Sequence, residues 1–260
     1  MFQIFLLSFA VTASADKMSP FIVGGNEVSI KDWSFIAFVQ ITDGSNVAAC
    51  GGSLLSSQTV LTAAHCLDDF TEKKKVKGIT FTIYMGHSSF AKATMTRSVL
   101  DYESHKYYSP DSEIVQFDIG IMFLSRPVKF GSKVIKTILQ PKFSATVDKK
   151  LAVAGWGYTD IDELTGAVSD RLKAVVMRPI SSKICKLQTG IICTQTQNEF
   201  PYNGDSGGPL VNAKTHLQVG IVSFREMHTG ISAFTSVPHY WDWINKAQLK
   251  LYKRFCIKGK

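Results

Sequence analysis

The sequence predicts an all-β protein closed by one C-terminal helix. Three features predict it: apolar residues that alternate with polar ones, turn residues that interrupt those runs at short intervals, and a single terminal stretch with helical spacing. The clearest alternating run is 78–86, where Ile79, Phe81, Ile83 and Met85 fall on one face and Thr80 and Thr82 on the other. Phe35–Ile41, Lys150–Ala154 and Leu217–Phe224 read as similar short strands, separated by Gly, Pro, Asn and Asp. Many short strands with frequent turns fit a barrel or a sandwich. At the other end Tyr240, Trp243, Ile244, Ala247 and Leu251 recur at helical spacing. Lys246, Lys250, Lys253 and Arg254 flank them, which reads as the solvated face of a helix docked through its aromatics. The charged stretch 68–77 reads as an exposed loop.

The composition belongs to a globular chain: 260 residues, 45% of them hydrophobic and 19% charged. A net charge of +8 suits polyanionic surfaces such as heparin-like glycans or acidic proteins. The lysines are scattered, however, which favours a merely basic soluble protein. Phe5–Val11 is apolar and precedes Ala13-Ser14-Ala15, a small-residue cleavage pattern, so 1–15 reads as a signal peptide. That run is too short to span a bilayer, and no membrane or nucleic-acid partner is expected. Secretion favours disulfides. The chain carries Cys50, Cys66, Cys185, Cys193 and Cys256, an odd count that leaves Cys256, in the basic tail, free or paired with another chain. No N-x-S/T sequon is present.

Two segments carry chemistry: Leu61-Thr62-Ala63-Ala64-His65-Cys66 and Gly204-Asp205-Ser206-Gly207-Gly208-Pro209. With Ile22-Val23-Gly24-Gly25, Cys50-Gly51-Gly52-Ser53-Leu54, Phe117-Asp118-Ile119-Gly120-Ile121, Gly155-Trp156-Gly157 and Trp243-Ile244, they make the chain resemble the chymotrypsin/trypsin-like serine peptidases from Ile22 to about Leu249. The resemblance implies two packed six-stranded antiparallel β-barrels, at about 22–130 and 131–237, and a helix over 239–251. It also implies disulfides Cys50–Cys66 and Cys185–Cys193. A serine hydroxyl is a poor nucleophile until a base takes its proton. By resemblance Ser206 is the nucleophile, His65 the base, and Asp118 the carboxylate that holds the imidazole tautomer. The backbone N–H groups of Gly204 and Ser206 would form the oxyanion hole. The resemblance further makes 16–21 a propeptide. Its removal would free the amino group of Ile22 to pair with the Asp205 carboxylate. The residue before that cut is Phe21, so the activating enzyme would not be trypsin-like.

The specificity pocket departs from the family. Its floor position carries Phe200, where trypsin-like members have Asp and chymotrypsin-like members a small residue. Its entrance reads Ser223-Phe224-Arg225 in place of Ser-Trp-Gly, and a second wall glycine is replaced by Ser232. Tyr202 stands where a family half-cystine is usual, and the partner cysteine is missing too. Two readings follow: Phe200 and Arg225 fill the pocket, or Arg225 recruits an acidic or polar side chain. Volume favours the first. The expected function is a secreted, monomeric serine endopeptidase of non-tryptic specificity, acting on protein or peptide substrates and open to serine protease inhibitors. The alternative is a protease-shaped binding protein with little turnover, similar to paralogues of parasitic arthropods, mites among them, that act on host defence proteins. No cofactor is expected. Nor is a metal: 87–96, the counterpart of the family's calcium loop, holds no Asp or Glu.

Overall fold

A computed structural model describes residues 22–71, 78–110, 116–132, 134–158, 168–185 and 189–257. The segments read as signal peptide and propeptide lie outside them. Among the described residues thirteen strands form two antiparallel sheets. The chain begins with β1 (Asn26–Glu27) and then builds a closed barrel from β2 (Ile36–Thr42), β3 (Val47–Leu54), β4 (Thr59–Thr62), β5 (Thr80–Met85), β6 (Met95–Ser104) and β7 (Gly120–Leu124), in the order β2-β3-β4-β7-β6-β5. Closure leaves this sheet without an exposed edge. The second sheet takes β8 (Leu151–Gly155), β9 (Lys173–Met177), β10 (Ile191–Gln195), β11 (Pro209–Asn212), β12 (Gln218–Glu226) and β13 (Ile231–Ser236). Its order is β1-β9-β8-β11-β12-β13-β10. The all-β class and the six-stranded barrel are as the sequence predicts. The second sheet differs in detail: it has seven strands because β1 joins its edge through Asn26–Ala174 and Glu27–Lys173, and among the described residues its ladder does not close.

The alternating run becomes β5, with Phe81, Ile83 and Met85 buried in the barrel. β4 and β7 are buried on both faces, because the terminal helix covers the barrel wall outside them. That helix, α3 (Trp241–Tyr252), follows α1 (His65–Thr71) and α2 (Ser182–Cys185) in the chain. α3 buries Ile244, Ala247 and Leu251 and leaves its lysines in solvent, the helical stripe the spacing predicts. Two basic residues of this end are tied to the barrel, Lys250 to Glu103 and Arg254 to Asp101. Ile244 has no exposed surface, so Ile244→Ala is expected to cost about 2–5 kcal/mol of unfolding free energy. A denaturant midpoint unchanged from wild type would show that α3 does not belong to the cooperative core.

The stretch read as a charged loop is corrected in its first part. Residues 68–71 complete α1, and the Ser104 hydroxyl donates to Asp68 Oδ1 at 2.8 Å. A short helix held from outside has too few turns to show a period. Residues 72–77 lie outside the described residues. Cys50–Cys66 and Cys185–Cys193 are both bonded, the first tying β3 to α1 and the second α2 to β10; Cys256 is free and half-buried.

Candidate active site

His65 opens α1 directly after β4, and Asp118 precedes β7, the strand that pairs with β4. Adjacent strands therefore deliver the two side chains to one end of the barrel. His65 Nδ1 lies 2.9 Å from Asp118 Oδ2, and the His65 backbone N–H donates to Oδ1 at 3.0 Å. Asp118 is 2% exposed. Its Oδ2 also accepts the Ser223 hydroxyl at 2.5 Å, and its backbone carbonyl accepts the Thr235 hydroxyl at 2.8 Å. Ser223 reaches it because the β12–β13 register slips between Val222 and Phe224, a bulge that leaves Ser223 opposite no partner and re-aims its side chain. Burial pushes the Asp118 carboxyl up. The charge and hydrogen bonds of His65 and the hydroxyl of Ser223 outweigh burial and hold the carboxyl below its ordinary value. An ionised Asp118 requires a proton on Nδ1, which leaves Nε2 as a base.

Ser206 stands on the loop before β11. Its carbonyl accepts the N–H of Gly51 on β3 at 2.7 Å, a bond that joins the barrel to the second sheet. His65, Ser206 and Gly204 line one cleft of about 420 Å³. Gly204 has φ +93, and a Cβ there would stand 3.1 Å from the Gly157 Cα, so both conformation and space call for glycine. Cys50, His65 and Cys66 also gather within 4.8 Å of one another, but the disulfide consumes both sulfurs and leaves a single imidazole.

Asp205 is wholly buried. Its oxygens accept the N–H groups of Gly157 at 2.7 Å and Tyr202 at 3.0 Å. A Cβ on Gly157 would fall 2.3 Å from Asp205 Oδ2, so the Gly-Trp-Gly motif clears room for this carboxyl. Ile22 is also fully buried, in the apolar core of the second sheet. Burial raises the Asp205 pKa to about 7, against the pull of the two backbone N–H groups. A raised carboxyl pKa means that the folded chain holds this proton more tightly than the unfolded chain. The resulting stability is full below about pH 3.8 and is lost as pH rises through about 7. The chain uncut after Phe21 is therefore expected to lose on the order of 4 kcal/mol from this group across that window. Asp205→Asn should flatten that part of the stability–pH curve. Identical slopes for the two proteins between pH 4 and 8 would contradict this account.

The remaining predicted residues lie apart from the open cleft. Phe200 is 1% exposed, and the Arg225 guanidinium lies over its ring with its carbon 3.5 Å from the centroid. Arg225 Nη1 donates to the Gly230 carbonyl at 3.1 Å and to Ser232 Oγ at 2.9 Å, and Nη2 to the Thr196 carbonyl at 2.7 Å. The side chain read as a cation at the pocket mouth thus turns inward. Only its Nε is buried without a partner among the described residues, and burial holds the guanidinium below its ordinary pKa. Phe224 packs half-buried beside the Cys185–Cys193 cluster. Phe200, Ser223, Phe224, Arg225 and Ser232 do not line the cleft that holds His65 and Ser206. Sequence reasoning also missed Thr235 and the apolar cleft wall, because no motif marks them and only the fold brings them to the site.

The family model described as Trypsin matches residues 22–244. Mast cell protease 2 of Meriones unguiculatus is 30% identical over 236 residues, covering 86% of this chain and 90% of that protein. Chymase of Mus musculus is 30% identical over 238 residues, with the same two coverages. Hypodermin-B of Hypoderma lineatum is 27% identical over 237 residues, 86% of either chain. A solved HL collagenase structure superposes with a TM-score of 0.74 at 23% identity, covering 86% of this chain and 97% of its own, and shows the shared fold.

Proposed function

The chain belongs to the trypsin family of serine proteases, and on that premise we propose that it is a secreted serine endopeptidase with Ser206 as nucleophile. The observation that carries the reading is His65, held through Nδ1 by the buried Asp118 at 2.9 Å and lining the same cleft as Ser206 and Gly204. In the proposed reaction His65 Nε2 takes the Ser206 proton as Oγ attacks the peptide carbonyl. The imidazolium is stabilised by Asp118 and then protonates the leaving amine. The N–H groups of Gly204 and Ser206 receive the oxyanion. Water enters by the same base and releases the acyl group. Cleavage after Phe21 would free the Ile22 amino group to pair with the buried Asp205, which has no cationic partner among the described residues; a cation there lowers the carboxyl pKa and removes the penalty of ionising it. A leader at 1–15 supports export, and no helix among the described residues is long and apolar enough to cross a membrane. Protein substrates follow from the family; a monomeric state and capture by serine protease inhibitors belong to the proposal.

The second reading, a protease-shaped binding protein, is favoured by one observation: the pocket of Phe200 and Ser232 is filled by Arg225 of the same chain. Incubating the mature chain, beginning at Ile22, with a denatured protein and sequencing the fragments separates the two. New termini that vanish in Ser206→Ala support the peptidase; an intact substrate supports the binding protein.

A further inference from the structure

We infer that this chain selects peptides by the residue that follows the cut bond, taking a large apolar side chain into the open cleft beside Ser206. The inference rests on Ser206 being the acylated nucleophile and adds the substrate class. One side of the site is closed: Arg225 covers the Phe200 ring and makes three hydrogen bonds to its own chain, at Thr196, Gly230 and Ser232. The closed pocket leaves little favourable contact by which a residue before the cut could be preferred.

The other side is open. The cleft of about 420 Å³ is within the size range of ligand pockets and is walled by Phe38, Val47, Ala49, Phe90 and Val168. It adjoins the proposed oxyanion site: a Cβ on Gly204 would stand 3.6 Å from Val168 Cγ1 and 3.8 Å from the Ala49 Cβ. His65, the proposed proton donor to the leaving amine, also lines this cleft, so we place the departing group there. Among the described residues no Asp, Glu, Lys or Arg lines it, so against these walls a charged side chain would be desolvated without a partner. Val47 is 66% exposed, an apolar surface that a ligand would cover. Gln40 supplies an amide held in place by Tyr84. Its Oε1 accepts the Tyr84 hydroxyl at 2.9 Å, which leaves Nε2 to donate to a carbonyl further along the departing peptide.

The test is acyl transfer from a small ester whose acyl group needs no deep pocket. Mature protein treated with p-nitrophenyl acetate forms an ester at Ser206 Oγ and releases p-nitrophenol. An added amine then attacks the acetyl carbonyl and loses its proton to His65. The Oγ–acyl bond breaks, Oγ regains that proton, and the N-acetylated amine departs. The ratio of acetylated amine to acetate is expected to be about tenfold or more higher for phenylalanine amide than for glycine amide, and lower still for aspartic acid amide. Val47→Glu should shift the preference toward lysine amide. Gln40→Leu should erase the advantage of Phe-Gly-amide over phenylalanine amide. Equal ratios for all amines, in a protein whose intact mass shows Ser206 acetylated, overturn the inference and leave the peptidase reading standing. Absence of acetylation removes the peptidase reading, and saturation-transfer NMR on folded Ser206→Ala then decides the cleft: signal from phenylalanine amide but not glycine amide supports it, and no signal from either overturns it.

Discussion

Phe200→Asp combined with Arg225→Gly is expected to raise cleavage after Arg by two or more orders of magnitude over wild type, which should cut after Lys or Arg barely at all. A basic side chain entering the wild-type pocket finds Phe200 at the floor and another guanidinium over it. Losing its water without gaining a carboxylate costs several kcal/mol, and each ~1.4 kcal/mol is tenfold in rate. The double substitution removes the plug and supplies a counter-charge in one step. Arg225→Gly alone should instead admit small or apolar side chains, since Phe200 would still close the floor. Profiling the three proteins against a library varied before the cut checks both statements. A wild-type profile dominated by Arg or Lys would show that Arg225 does not hold its inward position in solution.

His65→Ala is expected to lower turnover roughly 10⁴-fold or more, and Asp118→Asn roughly 10⁴-fold. The second change keeps the packing but offers an amide to His65 Nδ1 and to the Ser223 hydroxyl, both of which now donate to Oδ2. The imidazole is then held in the wrong tautomer, with no negative charge to steady the imidazolium. Steady-state kinetics on any substrate cut by wild type will show whether kcat carries the loss. A KM effect alone would place Asp118 outside the chemistry.

Much of this was legible from residue order, and the limits have physical causes. The alternation in β5 and the stripe of α3 appear because each element buries one face, and burial of one face imposes a period. β4 and β7 are buried on both faces, so their apolar runs show no alternation. The grouping of His65, Asp118 and Ser206 came from motif resemblance, and the bulge that sends Ser223 to Asp118 leaves no mark in the sequence. The exchange at the pocket entrance was readable as a volume change. The direction of Arg225 was not, because it depends on carbonyls of Thr196 and Gly230 that only strand pairing brings within reach. The open cleft is assembled from residues as distant as Phe38 and Val168, which no local pattern connects.

The central claim is that Ser206 is an activated nucleophile in a chain whose substrate pocket is plugged. A small fluorophosphonate needs the nucleophile and not the pocket. Mature protein beginning at Ile22 is treated with the probe, and peptide mass spectrometry locates the adduct. The account predicts stoichiometric labelling at Ser206 that is lost in His65→Ala and retained in Arg225→Gly. A folded mature protein that takes up no probe at Ser206 would contradict it.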